Sequence, residues 1–284
     1  MNRSSIHITF VPAVVALAAP PVLAQAPLPA TSAPSYAPGE LERVVSPIAL
    51  YPDPLLAQVL AASTYASEIP DAARWADEHR YLTGTRLTDA IAEDHLPWDP
   101  SVQALLPFPS VLAMMSGDMP WTEELGNAFL PQHADVMDAV QRMRQTAQTY
   151  GYLRSNGQVT VSNGPYIDIE PIDAAYIPVP YYDPLIVFAP PRRGFVVGTA
   201  VSFRYRVWVG GVFAPWGWGS THFAWPSHTV IVNRAPWGRT WINRGTYVHP
   251  YAVQRYAGPR PPERHRLATH TQHDRPVARA ERRR

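Results

Sequence analysis

Neither lysine nor cysteine occurs in this 284-residue chain, and each absence closes off chemistry. Without lysine there is no Walker-type phosphate lysine, no Schiff-base amine and no Ser–Lys or lysine general base. Without cysteine there is no thiol nucleophile, disulfide, Cys-ligated zinc, iron–sulfur cluster, CxxCH haem attachment or lipoprotein anchor. HExxH and GxSxG are absent as well, and Gly219-Ser220-Thr221-His222 lacks the strand–turn–helix context of a nucleophile elbow. Beyond the N-terminus no stretch reaches about 18 apolar residues without a charge, so no transmembrane helix is expected in the mature chain. What is plentiful is proline, with 32 Pro against 16 Gly, which commits much of the chain to turns and extended segments. These exclusions leave a metal-free acid/base enzyme, a binding module or a structural protein. They call for no cofactor.

The formal net charge of +1 hides a division. All 24 basic residues are arginine. From Glu40 to Tyr150 there are 16 acids against 6 arginines, a net of −10, and from Gly151 to Arg284 there are 7 acids against 17 arginines, a net of +10. Such asymmetry bears on partners and self-association rather than on fold.

The first residues read as an export signal. Arg3 precedes an apolar run from Ile8 to Ala19, and Val22-Leu23-Ala24 fits the small-x-small rule for cleavage before Gln25. The run is too short, and too broken by Pro12 and Pro20, to span a membrane. Residues 25–39 read as a disordered Pro/Ala linker. The expected location is therefore the periplasm or cell envelope, with the signal removed near Ala24.

Residues 40–155 carry helical spacing. Leu55, Leu56, Val59 and Leu60 follow Tyr51-Pro52-Asp53-Pro54, where Asp53 suits an N-cap and Pro54 the first helical position. The pattern recurs at Pro97-Trp98-Asp99-Pro100 before Val102, Leu105 and Leu106. Pro70 opens a helix with Trp75 and His79, Leu87–His95 makes a short one, and Asp135–Gln148 places Val136, Met137, Val140 and Met143 on one stripe, stopped by Gly151. From 156 to 248 the period changes to that of strands. Val159–Val161 and Tyr166–Glu170 flank a Ser162-Asn163-Gly164-Pro165 turn, a hairpin signal. Ala175–Pro180 and Leu185–Phe188 read as extended, with prolines at 178, 180 and 184 making them edge or irregular strands. Phe195–Val212 and His228–Asn233 are further strand candidates around a Trp216-Gly217-Trp218-Gly219 loop. Residues 249–284 read as a basic disordered tail. The expected class is α+β: an N-terminal all-helical domain followed by a small irregular antiparallel β region and that tail.

Several of these segments together resemble a known family. Ser46-Pro47-Ile48-Ala49-Leu50-Tyr51-Pro52-Asp53-Pro54, Ala72-Ala73-Arg74-Trp75, Trp98-Asp99-Pro100-Ser101-Val102 and Trp121-Thr122-Glu123-Glu124-Leu125-Gly126-Asn127 stand in the order of the bacterial domain of unknown function 3300 family. So do Asp135–Arg144, Ile169-Glu170-Pro171 and Tyr182-Asp183-Pro184. The resemblance covers roughly residues 40–190, and the Gly/Trp zone and tail share the family's style only. It implies a secreted or periplasmic protein of uncharacterised function and transfers no catalytic residue.

The strongest site signal is an aromatic–arginine mixture. Trp208, Trp216, Trp218, Trp225, Trp237 and Trp241 are interleaved with Arg204, Arg206, Arg234, Arg239 and Arg244. Aromatic faces stack on sugars, bases or choline-like groups, and arginine binds phosphate or carboxylate bidentately, which after export points to lipopolysaccharide phosphates, lipid headgroups or acidic glycan. Equally, the tryptophans could be the core of a β-domain poor in Leu and Ile. Asp168 and Glu170 share one strand face opposite Ile167 and Ile169, an exposed polar face that could also supply an acid/base pair. Met114, Met115, Met119, Met137 and Met143 read as helical core. His265, His270 and His273 sit among arginines that repel a cation, so no dedicated metal site is expected. The leading expectation is a non-enzymatic envelope interaction or scaffold protein that docks on anionic envelope material or an acidic partner, with no nucleic acid. The alternative is a glycan- or peptidoglycan-acting hydrolase using an Asp/Glu pair.

Overall fold

The computed structural model describes residues 32–191, 198, 200–218 and 220–249. The expected export signal, residues 25–31 of the linker, and the basic tail from residue 250 on, with His265, His270 and His273, lie outside these residues. The order of elements is α1 (Pro38–Val45), α2 (Asp53–Ser63), α3 (Ile69–Glu78), α4 (Thr85–Glu93), α5 (Pro100–Gln103), α6 (Pro109–Gly117) and α7 (Met119–Thr149). There follow β1 (Val159–Val161), β2 (Ile169–Pro171), β3 (Tyr176–Tyr182), the one-turn α8 (Pro184–Val187), β4 (Val201–Trp208), β5 (His222–Ala224), β6 (Thr229–Val232) and β7 (Ala235–Pro236). The class is α+β, helices first and small antiparallel sheets after.

Helix α2 organises the rest. The Leu55, Leu56, Val59 and Leu60 stripe is backed by Ala57, Ala61 and Ala62, leaving no polar face, and every residue of the helix is buried. It lies against α5 and α7 and also against β2, β5 and β6. The approach of α7 is close enough that a Cβ on Gly126 would fall 2.2 Å from the Ser63 carbonyl oxygen. α7 itself bends at Gln132 (φ −126°, ψ 40°), directly after Pro131, whose ring and missing N–H break the helical ladder. The Gly151 stop is seen, with φ +77° and its N–H bonded to Gln148 O. Met115 and Met137 are fully buried, and Met114 and Met143 partly so, in one helical core.

Three small antiparallel sheets complete the unit: β1–β2, β3–β4 and β5–β6–β7. The hairpin pairs Val161 with Ile169 and Thr160 with Glu170. Ile167 and Ile169 are buried as the alternation requires. The β3–β4 ribbon slips register between Val179 and Tyr181, beside Pro178 and Pro180, which have no N–H to give a ladder. Residues 185–188 correct the extended reading. The Asp183 carboxylate accepts from the Leu185 N–H at 2.9 Å and caps α8, so the Asp-Pro start signal outweighs the β-branched content.

Asp99 and Asp53 carry the same Asp-Pro signal with different outcomes. Asp99 caps α5, accepting from Ser101 N–H at 2.9 Å, and also receives His249 Nε2 at 2.6 Å. Asp53 makes no cap bond, and the N-cap of α2 is Pro52. The Asp53 carboxylate instead turns inward to Arg144 Nη1 at 2.6 Å, both side chains being buried (1% and 0% exposed). Arg144 also donates to the carbonyls of Ala49 (2.9 Å), Tyr51 (2.9 Å) and Ile167 (2.7 Å). Asp53 further accepts from Trp225 Nε1 at 3.2 Å and Ile169 N–H at 3.3 Å. This one knot joins α2, α7, the hairpin and the tryptophan-rich segment, with every ionic group hydrogen-bonded as burial demands.

Candidate functional site

The six clustered tryptophans separate into two groups. Trp216, Trp218, Trp225 and Trp237 are buried in the same core as the helices. Each meets the helical part: Trp218 Nε1 donates to Ala104 O at 2.9 Å, Trp216 Nε1 to Gln103 Oε1 at 3.2 Å, and Trp237 stacks on Phe129 at 5.2 Å between centroids. Burial places these four beyond reach of a surface ligand. Trp241 is partly buried, with the Arg244 guanidinium 3.9 Å over its ring. Trp208 is the one that opens to solvent, at 37%.

Trp208 belongs to the outward side of the β3–β4 ribbon. On β4, Val207 and Phe203 turn inward while Arg206 and Trp208 are exposed. Across the strands Tyr176 faces Trp208 and Pro178 faces Arg206. The Arg206 guanidinium lies 4.7 Å over the Tyr176 ring, a contact that holds the cation in place while leaving its donors free. Tyr205 (52% exposed) stands opposite Val179 just before the register slip, and Tyr181 (83%) follows it. Arg204 is in β4 next to Tyr205. The Trp208 benzo ring rests on Gly84 and Gly210, where a Cβ would come within 2.8 and 2.1 Å of it. Both glycines have positive φ, 58° and 35°. Small residues in left-handed turns are thus what allow the indole to lie down instead of projecting.

The arginines divide as the tryptophans do. In the helical part Arg43, Arg74, Arg80, Arg142 and Arg144 pair with Glu124, Asp71, Asp77, Glu42 and Asp53. Among the described residues, no carboxylate forms an ion pair with Arg206, Arg234, Arg239 or Arg244. Arg239 donates to Thr64 O at 2.5 Å and stacks 3.6 Å over Tyr65, and Arg244 donates to Trp241 O. Arg234 is exposed in a left-handed turn (φ 66°) after β6. Among the described residues these four guanidinium groups have no carboxylate within ion-pair distance, although the Arg239 charge reaches Glu68.

The Asp168 and Glu170 pair sits on the hairpin. Desolvation first, then the charges of Asp53 and Asp168, push the Glu170 carboxyl up to about 7 although its side chain is exposed. Two clefts lie near this part of the chain. One of about 300 Å3 is lined by Gln148, Arg154, Ser155 and Asn163 among others. The second, about 440 Å3, lies between α1, α7 and α8 with Glu42 as its only acid. Neither brings two carboxylates face to face, as glycosidic hydrolysis requires. Among the described residues no group of three or more His, Asp or Glu could hold a metal ion.

The sequence reading missed Arg144, Asp53's inward turn and the Tyr176–Arg206 stack. Arg144 was detectable: it stands at helical spacing from Met137 and Val140, on the apolar stripe, where a charge needs a buried partner.

Comparison with known proteins gives a consistent picture. The chain is similar to the uncharacterized protein YacH of Escherichia coli (strain K12), 40% identical over 145 residues, which is 51% of this chain. It spans only 22% of that relative's length. No solved structure matches. The family described as "Protein of unknown function (DUF3300)" matches residues 37–245, reaching past the segment near residue 190 where the resemblance had weakened and through the whole tryptophan-rich zone. The chain belongs to the DUF3300 family.

Proposed function

We propose that this is a non-enzymatic, exported envelope protein whose β-rich half docks on anionic envelope material. The observation that carries the reading is the division of the arginines. Five of the six arginines between Glu40 and Tyr150 are paired with internal carboxylates, Arg86 being the exception, whereas Arg206, Arg234, Arg239 and Arg244 form no ion pair among the described residues. A surface with uncompensated guanidinium groups attracts polyanions over about a Debye length, roughly 10 Å at moderate salt. The Arg3, Ile8–Ala19 and Val22-Leu23-Ala24 pattern supports export. Among the described residues, no helix is long and apolar enough to cross a membrane, so attachment would be to a surface.

The test is co-sedimentation of the whole chain from Gln25 with lipopolysaccharide, anionic phospholipid vesicles and immobilised acidic polysaccharide, against neutral phosphatidylcholine. Binding to at least one anionic material at low salt, fading as salt rises, is expected. No binding to any of them at low salt would overturn the proposal.

A further inference from the structure

We infer that the outer face of the β3–β4 ribbon is a binding platform for an acidic glycan chain, with a sugar ring on Trp208 and a carboxylate or phosphate of the glycan on Arg206. This rests on the anionic-envelope reading and specifies its ligand. Trp208 and Tyr176 are direct cross-strand partners, and Arg206, two residue pairs along on the same face, stacks on Tyr176 at 4.7 Å. An aromatic surface and a cation are therefore fixed side by side on one rigid ribbon. Sugars offer this pair of groups: a face of C–H bonds for an aromatic ring, and an acid at the ring's edge for a bidentate guanidinium.

The geometry favours a glycan over a lipid bilayer. Membrane-surface anchors insert tryptophan or leucine into the headgroup boundary. Trp208 cannot project in that way, because its ring rests on the Gly84 and Gly210 backbones with room for no Cβ at either position. What reaches solvent is part of a ring lying against the protein, 37% of the residue. Farther along the ribbon, past the register slip, Tyr181 is 83% exposed. An extended chain of sugar rings laid along the ribbon from Trp208 and Arg206 would pass Tyr181 next. Pre-ordering matters here, since a side chain already held pays little entropy on binding.

The experiment is calorimetric titration of the full mature chain with hexagalacturonate, its methyl ester and phosphatidylglycerol vesicles, for wild type, Arg206→Gln, Trp208→Ala and Trp208→Phe. Thermal melts check that each variant folds. Hexagalacturonate should bind, and its ester, which keeps the rings but lacks the charge, should bind at least about tenfold more weakly. Arg206→Gln and Trp208→Ala should each weaken binding by about tenfold, with Trp208→Phe intermediate. If Trp208→Ala fails to fold, exposed Arg206 and the conservative Phe variant decide the matter. Vesicle binding without hexagalacturonate binding would overturn the glycan platform and leave the anionic-envelope reading standing. Hexagalacturonate binding unchanged by Arg206→Gln and Trp208→Phe would place the site elsewhere. Absence of binding to every anion at low salt would end both.

Discussion

Replacing Arg144 by methionine tests the central claim about stability. Methionine roughly fills the stem of the arginine but removes its donors to Asp53 Oδ1 and to the carbonyls of Ala49, Tyr51 and Ile167. Asp53 would keep only Trp225 Nε1 and the Ile169 N–H, at 3.2 and 3.3 Å. Stranding one member of a buried ion pair costs about 3–5 kcal/mol. The three orphaned carbonyls push toward the upper end of that range, since an unsatisfied buried acceptor costs about 1–3 kcal/mol. Against a total stability of about 5–15 kcal/mol for a typical domain, such a loss approaches unfolding.

Urea denaturation of wild type, Arg144→Met, Asp53→Asn and the double variant, followed by tryptophan fluorescence and far-UV circular dichroism, measures the cycle. Asp53→Asn keeps an acceptor for Trp225 and Ile169 but strands the guanidinium. Each single variant should lose about 3 kcal/mol or more, and the double should lose less than the sum by about 2 kcal/mol. An Arg144→Met loss under about 1 kcal/mol, or strict additivity, would refute the knot as the tie between the helical and β-rich parts.

Three further outcomes follow from the same geometry. Gly126→Ala should lower the melting temperature, costing about 1–3 kcal/mol by overpacking, because a Cβ there meets Ser63 O at 2.2 Å; on helix propensity alone the change would gain about 1 kcal/mol, so an unchanged or raised melting temperature would contradict the close α2–α7 approach. Glu170 has a folded value raised to about 7 from 4.5, so its contribution is fully present below 4.5 and is lost as pH rises through about 7. Glu170→Gln should therefore match wild type near pH 4.5 and exceed it above about pH 7, as urea midpoints would show, and the reverse order would contradict its desolvation. A chain ending at Pro190 lacks Trp216, Trp218 and Trp225, which cover α2, and should bind a hydrophobic dye and lose its cooperative melt; a sharp melt without dye binding would mean the helical part folds alone.

How much of this was legible depended on the distance over which each interaction acts. Asp99 capping α5, the Gly151 stop and the alternation of Ile167 and Ile169 are local, and local spacing displays them. The one-turn α8 is local too, but its Asp183-Pro184 signal competes with the β-branched appearance of Leu185-Ile186-Val187, and a capping bond decides such a short segment. Asp53 has the same local signal as Asp99. It departs from it because its partner Arg144 lies 91 residues away, and no pattern in the Asp53 neighbourhood records that partner. The tryptophans show the same limit. Composition groups Trp208 with Trp218, but Trp218 finds the Ala104 carbonyl 114 residues away while Trp208 finds two glycines that let it lie at the surface.

The charge division acquires a physical meaning through this interlocking. Had the acidic and basic halves been independent, the arginines of the second could have folded back onto the carboxylates of the first, and the net charge of +1 would be a neutral surface. Instead the helical carboxylates nearest to arginines are paired within the helical part, as Glu42 with Arg142 and Glu124 with Arg43 show. The tryptophan-rich segment is held on the helical part by the indole N–H groups of Trp216, Trp218 and Trp225, the Gln58 amide and aromatic faces, which consume no positive charge. Arg239 follows that rule, crossing to the helical part through the Thr64 carbonyl and the Tyr65 ring. Attachment by tryptophan is what leaves arginine available. On this argument the unusual number of tryptophans and the uncompensated arginines are two sides of one arrangement, in which four buried indoles mount a ribbon whose exposed indole and guanidinium face outward.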